Sequence, residues 1–159
     1  VCVNTDGSVK QPGSTAAGGG LILDLSGKCL GAFVENLGVC TITRAKIMAA
    51  IRGLRVAWRN GYRKVLLQMD STTAINILTS SEHMEHMYYI LVQQLQELLN
   101  KSWEVKISHI YREGNKVANF LVNKGHSISI GFHDFEVSDS GLSFWILYNT
   151  LDISQTRLI

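Results

Sequence analysis

Residues 17–37 read AGGGLILDLSGKCLGAFVENL, two apolar runs of strand length on either side of Ser26-Gly27. A Ser-Gly link suits a tight hairpin turn, so the runs predict two adjacent antiparallel strands. Gly18, Gly19 and Gly20 open the first run. A phosphate-cradling loop would carry Lys-Ser/Thr after its glycines and lead into a helix. Here they lead into a strand, where glycine marks close approach of other backbone. Upstream, VCVNTDGS (1–8) alternates as a strand and ends in a turn-forming Asp-Gly-Ser.

Downstream the periodicity changes. TRAKIMAAIRGLRVAW (43–58) places Ile47, Ile51, Leu54 and Trp58 on one helical stripe. Thr43 is the expected N-cap of a helix over 44–59, and Asn60-Gly61 its C-terminal stop. A capping box would have Glu or Gln three residues after the cap; Lys46 stands there, a cation near the positive end of the helix dipole. KVLLQM (64–69) reads as a buried strand, followed by Asp70-Ser71 and a short helix to Leu78. After the polar break TSSEHME (79–85), Met87, Ile90, Leu91, Leu95, Leu98 and Leu99 mark a long amphipathic helix. WEVKISHIY (103–111) alternates as a strand. GNKVANFLVNKGH (114–126) reads as a helix with Asn115 as N-cap and Gly125 as stop. Hairpin-linked strands followed by strand–helix alternation predict an α/β fold, a mixed sheet with helices on both faces.

At 159 residues, 46% hydrophobic and 18% charged, the chain suits one domain with a substantial core. A net charge of +2 is too small to imply a nucleic-acid partner by itself. Cys2, Cys29 and Cys40 are odd in number and widely spaced, so they are expected as buried free thiols rather than a disulfide frame or zinc site. With no run of about 20 apolar residues and no signal pattern, the expected setting is intracellular, in nucleus or cytoplasm, with no membrane partner. The opening, already strand-like and without Met, reads as a domain taken from a longer protein.

In such a sheet, strand ends and first helical turns converge on one crevice. Asp6, Lys46, Asp70 and Asn119 all have that address. Each also has a local reading: Asp6 before Gly7 suits a turn, Asp70 before a helix suits an N-cap, and Asn119 alone carries little.

Taken together, VNTDGS (3–8), TRAKIMAAIRGLRVAW, LLQMDS (66–71) and ISHIYREGNKVANFLVNKGH (107–126) resemble the successive motifs of a plant-type ribonuclease H-like domain. This is the reverse-transcriptase-like form seen in plant proteins and at the end of plant non-LTR retrotransposon polyproteins. The resemblance covers residues 1–126, the expected core; 127–159 is expected to be an extension packed on or continuing the same domain. It implies a five-stranded mixed sheet in order 3-2-1-4-5, flanked by helices. It also implies hydrolysis of the RNA strand of an RNA–DNA hybrid, with carboxylates holding two Mg²⁺ ions about 4 Å apart. Carried over residue by residue, the family carboxylates are kept at Asp6 and Asp70. The Glu expected after Arg-Ala is replaced by Lys46, and the Asp closing Arg-Glu-x-Asn-x-x-Ala-Asp by Asn119, while Arg112, Glu113, Asn115 and Ala118 remain.

Two unit charges 4 Å apart interact by about 4 kcal/mol at an effective dielectric near 20, and a dication by about twice that. Lys46 is therefore expected to repel Mg²⁺, or to sit between Asp6 and Asp70 in its place. At most one weakly held Mg²⁺ on Asp6 and Asp70 is expected. The leading expectation is a pseudoenzyme that keeps the fold and modest, salt-dependent nucleic-acid binding through Lys10, Gln11, Arg44, Arg112, Asn115 and Lys116. A second reading is an active hybrid ribonuclease that recruits Glu113, Asp134 or His126. A third is a protein-interaction module docking through the hydrophobic segment GLSFWILYNTLDI (141–153). His83 and His86, beside Glu82 and Glu85, are expected on a solvated surface, and His109 packed or hydrogen-bonded. Residues 142–151 fit strand and helix equally.

Overall fold

The computed structural model describes residues 1–11, 13–80 and 87–136. Strands β1 (Cys2–Val9), β2 (Ala16–Leu23) and β3 (Cys29–Gly38) precede helix α1 (Ile42–Arg59). Strand β4 (Lys64–Met69), helices α2 (Thr72–Thr79) and α3 (Tyr89–Leu99), and strand β5 (Glu104–His109) follow. A 3₁₀ turn (Arg112–Asn115) then leads into helix α4 (Lys116–Gly125) and strand β6 (Gly131–Glu136). The sheet order is β5-β4-β1-β2-β3-β6. β1–β2, β2–β3 and β3–β6 run antiparallel, whereas β1–β4 and β4–β5 run parallel. This is the expected order with one strand added at the β3 edge. Among the described residues no helix is long and apolar enough to cross a membrane.

The triple glycine lies where helices press on both faces of β2. A Cβ on Gly18 would come 3.1 Å from the Ala49 Cβ of α1, and one on Gly19 would come 3.3 Å from the Val122 side chain of α4. Next to them, Ile22 and Phe33 face the larger core with Ile47, Ile51 and Leu54 of α1 and Val92 and Leu95 of α3. Leu21, Ala32 and Val34 face the smaller core under Ala118 and Leu121 of α4. Successive strand residues thus serve opposite faces, which is why β2 is apolar at nearly every position.

Several local expectations shift. The α1 N-cap is Thr41, not Thr43: its side chain accepts from the Arg44 N–H at 3.2 Å. Both threonines are competent caps, and the helix starts at the first. Lys46 then lies in the second turn, outside any capping box. Asn60-Gly61 closes α1 as expected: Gly61 N–H donates to Trp58 O and Tyr62 N–H to Ala57 O, both at 3.0 Å, with Gly61 at φ +89°. Ser71, not Asp70, caps α2, leaving the Asp70 carboxylate for other work. On α3, Leu91, Val92, Leu95 and Leu98 form the buried face, while Ile90 points outward and Met87, just before the helix, is exposed. Gly125 is still helical; a Cβ there would meet Ala17 and Val34 at 2.8 Å, so it serves close packing rather than termination. The three cysteines are free and only partly buried. His109 is exposed, its ring edge-on to Tyr111 at 5.3 Å between centroids. His83, His86 and the segment 141–153 lie outside the described residues.

One contact fixes α1 on the sheet near the crevice. A Cβ on Gly7 would come within 2.5 Å of Ala45 C and Lys46 N, backbone atoms that no rotamer change can move. Gly7→Ala is therefore expected to cost about 3 kcal/mol of stability, read as a lower urea midpoint. An unchanged midpoint would contradict this packing.

Candidate active-site remnant and adjoining cleft

Parallel pairing of β1 with β4 sets Thr5 opposite Met69. The next residue in each case is an aspartate, Asp6 inside β1, where Asp-Gly-Ser continues the strand instead of turning as expected, and Asp70 just past the end of β4, so register alone puts them side by side. Lys46 reaches them from α1, whose backbone Gly7 allows to lie directly on β1. Its Nζ donates to Asp6 Oδ1 at 2.9 Å and to Asp70 Oδ1 at 3.0 Å. The Asp6 and Asp70 side chains are 2% and 7% exposed and Lys46 18%, so water screens the cluster poorly.

Further donors close around Asp6. The Gly7 N–H donates to Oδ1 at 2.8 Å, and Asn119 Nδ2, from α4, donates to Oδ2 at 3.0 Å. Asn119 Oδ1 in turn accepts from Asn123 Nδ2 at 3.3 Å, one helical turn on, which accounts for the amide presenting its N–H side to Asp6. Two residues beyond Asp6 on the same face, Ser8 Oγ shares a 2.7 Å hydrogen bond with His126 Nε2. Asn123 and Ser8 were not singled out in the sequence, although the i, i+4 and i, i+2 spacings were available to find them.

The proposed four-residue set thus forms one cluster. Asn119 also lines an open cleft of about 280 Å³ with Arg112, Glu113 and Lys116. Lys10 and Gln11 are exposed beyond the end of β1. Arg44 extends from the first turn of α1 toward the Met87 carbonyl, at 3.5 Å. Asn115 is different. It is 1% exposed and donates from Nδ2 to the Thr5 carbonyl at 3.0 Å, so it ties the last helix to β1 instead of facing a ligand. Asp134 is also elsewhere, on β6 and ion-paired with Arg59 in the last turn of α1. Some 13 helical residues separate Arg59 from Lys46, a rise of about 20 Å. This removes Asp134 as a substitute ligand.

The donor set does not fit the divalent ions implied by the fold. Mg²⁺ needs oxygen ligands at about 2.1 Å in octahedral array. Here both Asp6 oxygens accept from N–H groups, Asp70 Oδ1 accepts from an ammonium, and Asn119 offers its nitrogen. An ion between the carboxylates would stand close to Lys46, at a repulsion of about 8 kcal/mol for a 4 Å separation and a dielectric near 20. Among the described residues no group of three or more His, Cys, Asp or Glu is arranged to hold a metal.

Electrostatics follow the same geometry. Burial is the largest single influence on Lys46 and favours its neutral form, but the hydrogen bonds and charges of Asp6 and Asp70 together outweigh it, so its pKa is raised above 10.5. Burial and then the charge of Lys10 lower His126 below 6.5. A raised lysine pKa stabilises the fold fully below 10.5, and the contribution is lost as pH climbs through the higher folded value. Lys46→Met, which leaves two buried carboxylates unpaired, is expected to cost about 3 kcal/mol at neutral pH. Urea unfolding should show this difference constant up to about pH 10.5 and shrinking above it. A difference that grows with alkalinity would contradict the ion pairs.

Comparison with known proteins agrees with the fold. The family model described as reverse transcriptase-like matches residues 4–125. An Arabidopsis thaliana protein named "Putative ribonuclease H protein" is 33% identical over all 159 residues, and the chain spans about a quarter (26%) of that relative's length. The ribonuclease H1 of the archaeon Halobacterium salinarum superposes with a TM-score of 0.75 at 23% identity, covering 80% of this chain and 97% of that one. LC11 ribonuclease H1, solved in complex with an RNA/DNA hybrid, gives 0.73 at 23% identity, with 79% and 96% coverage. Motif order, sheet topology and the match over residues 4–125 lead to one assignment: the chain belongs to the reverse transcriptase-like family and carries its ribonuclease H-like domain.

Proposed function

We propose that this domain is a nucleic-acid-binding ribonuclease H-like module that has lost hydrolysis of RNA–DNA hybrids. The observation that carries the reading is the Lys46 ammonium held between Asp6 and Asp70, at 2.9 and 3.0 Å. Two-metal phosphodiester hydrolysis needs anionic oxygens free to bind cations that activate water and stabilise the leaving oxygen. The Lys46 ammonium, the Gly7 N–H and the Asn119 amide take up three of the four oxygens of Asp6 and Asp70. Glu113 and His126 remain near the cluster, but neither restores a set of anionic ligands around Asp6: Glu113 lines the cleft beyond Asn119, and His126 is bonded to Ser8.

Binding makes other demands. A hybrid backbone is held by cations and polar groups that contact phosphates and sugar hydroxyls, with no base code required. Arg112 and Lys116 line the cleft beside the cluster, and Arg44, Lys10 and Gln11 extend the candidate surface. Asn115 leaves the contact set because its side chain is buried.

The deciding experiment places the chain and its Lys46→Glu/Asn119→Asp variant on a labelled RNA–DNA hybrid with Mg²⁺. The unaltered chain should bind at low salt, weaken as salt rises, and leave the RNA uncut. The variant, with carboxylates at all four positions, should gain cleavage. Cutting by the unaltered chain, or no binding at low salt, would overturn the proposal.

A further inference from the structure

We propose that Lys46 is a built-in counter-ion, so that this cleft takes a phosphodiester backbone with no divalent cation present. The inference rests on the nucleic-acid reading above and adds its ionic requirement. Asp6 and Asp70 would by themselves repel a phosphate at the mouth of the cleft. In an ordinary site of this kind, exchangeable dications remove that repulsion. Here Lys46 cancels one of the two aspartates, and Arg112 with Lys116 outweighs Glu113 by one charge. With uncharged Asn119 the seven side chains are together neutral. Glu at position 46 and Asp at position 119 would move the same set three units toward negative charge, and only added cations could then offset it.

The geometry makes this counter-ion permanent. Lys46 is tethered to α1, is 18% exposed, and is held by two carboxylates on adjacent strands. Asn119 acts in the same direction: it donates to Asp6 Oδ2 while lining the cleft, so its amide separates that carboxylate oxygen from an arriving phosphate. Added Mg²⁺ then finds three of the four aspartate oxygens taken by protein donors and an ammonium beside the fourth, and acts by general screening.

The test is fluorescence anisotropy of a labelled RNA–DNA hybrid, its RNA strand made uncleavable, with the intact chain. It compares EDTA with Mg²⁺ at an ionic strength matched by NaCl. The unaltered chain should give dissociation constants equal to within about twofold in the two conditions. Lys46→Glu/Asn119→Asp should bind about tenfold or more weakly in EDTA and recover in Mg²⁺. Should that variant fail to melt cooperatively, Lys46→Gln serves in its place, with a smaller loss in EDTA and the same recovery. Binding by the unaltered chain that requires Mg²⁺ overturns the inference and leaves the proposed function standing. Folded variants that bind in EDTA as well as the unaltered chain overturn it too. No binding by the unaltered chain in either condition removes both.

Discussion

One ammonium between two carboxylates organises the working end of this domain. Lys46 joins α1 to two adjacent strands of the sheet, and Asn119 attaches α4 to the same aspartate from the opposite face. Two buried carboxylates, one within β1 and one just past β4, need a cation or a proton, since isolated buried charge is costly. The parallel register that sets Thr5 against Met69 creates that need, and a side chain supplies the cation. Gly7 makes the answer possible by letting the α1 backbone lie on β1.

This arrangement separates two properties that the fold normally joins. Hydrolysis depends on oxygens left free for metal ions, and three of the four aspartate oxygens accept from protein donors. Grip on a nucleic-acid backbone depends on cations and hydrogen-bond donors around the cleft, and Arg112 and Lys116 are still there beside Asn119. The cluster that supports the loss of one property also lowers the negative charge that would oppose the other. On the proposed reading, a domain with this balance holds nucleic acid without processing it.

Much of the fold was legible because its signals are local. The apolar runs of 17–37, the helical stripe from Ile47 to Trp58 and the Asn60-Gly61 stop all depend on near neighbours, and each stands as read, whereas Asp-Gly-Ser, a turn signal in isolation, continues β1. The misreadings came where two local choices were equal or where the deciding partner was distant. Thr41 and Thr43 are both sound caps. Ile90 and Leu91 both fit a helical period, and only packing against α1 selects Leu91. Asn115 does stand at the N-cap position of α4, but its side chain donates to the Thr5 carbonyl, 110 residues upstream, instead of capping. Strand β6 exists because β3 offers an open edge, which the pattern of residues 127–136 does not announce. Topology gave Asp6, Lys46, Asp70 and Asn119 one shared address, but each has an ordinary local reading, and only the family resemblance gave the set a chemical meaning.

The central claim is that a protein cation, not a metal ion, joins Asp6 and Asp70. A crystal structure of this chain soaked in Mn²⁺, with anomalous difference maps, tests that most directly. The account predicts Lys46 Nζ within hydrogen-bonding distance of both carboxylates and no anomalous peak between them. A Mn²⁺ peak bridging Asp6 and Asp70, with the Lys46 side chain swung out to solvent, would contradict it.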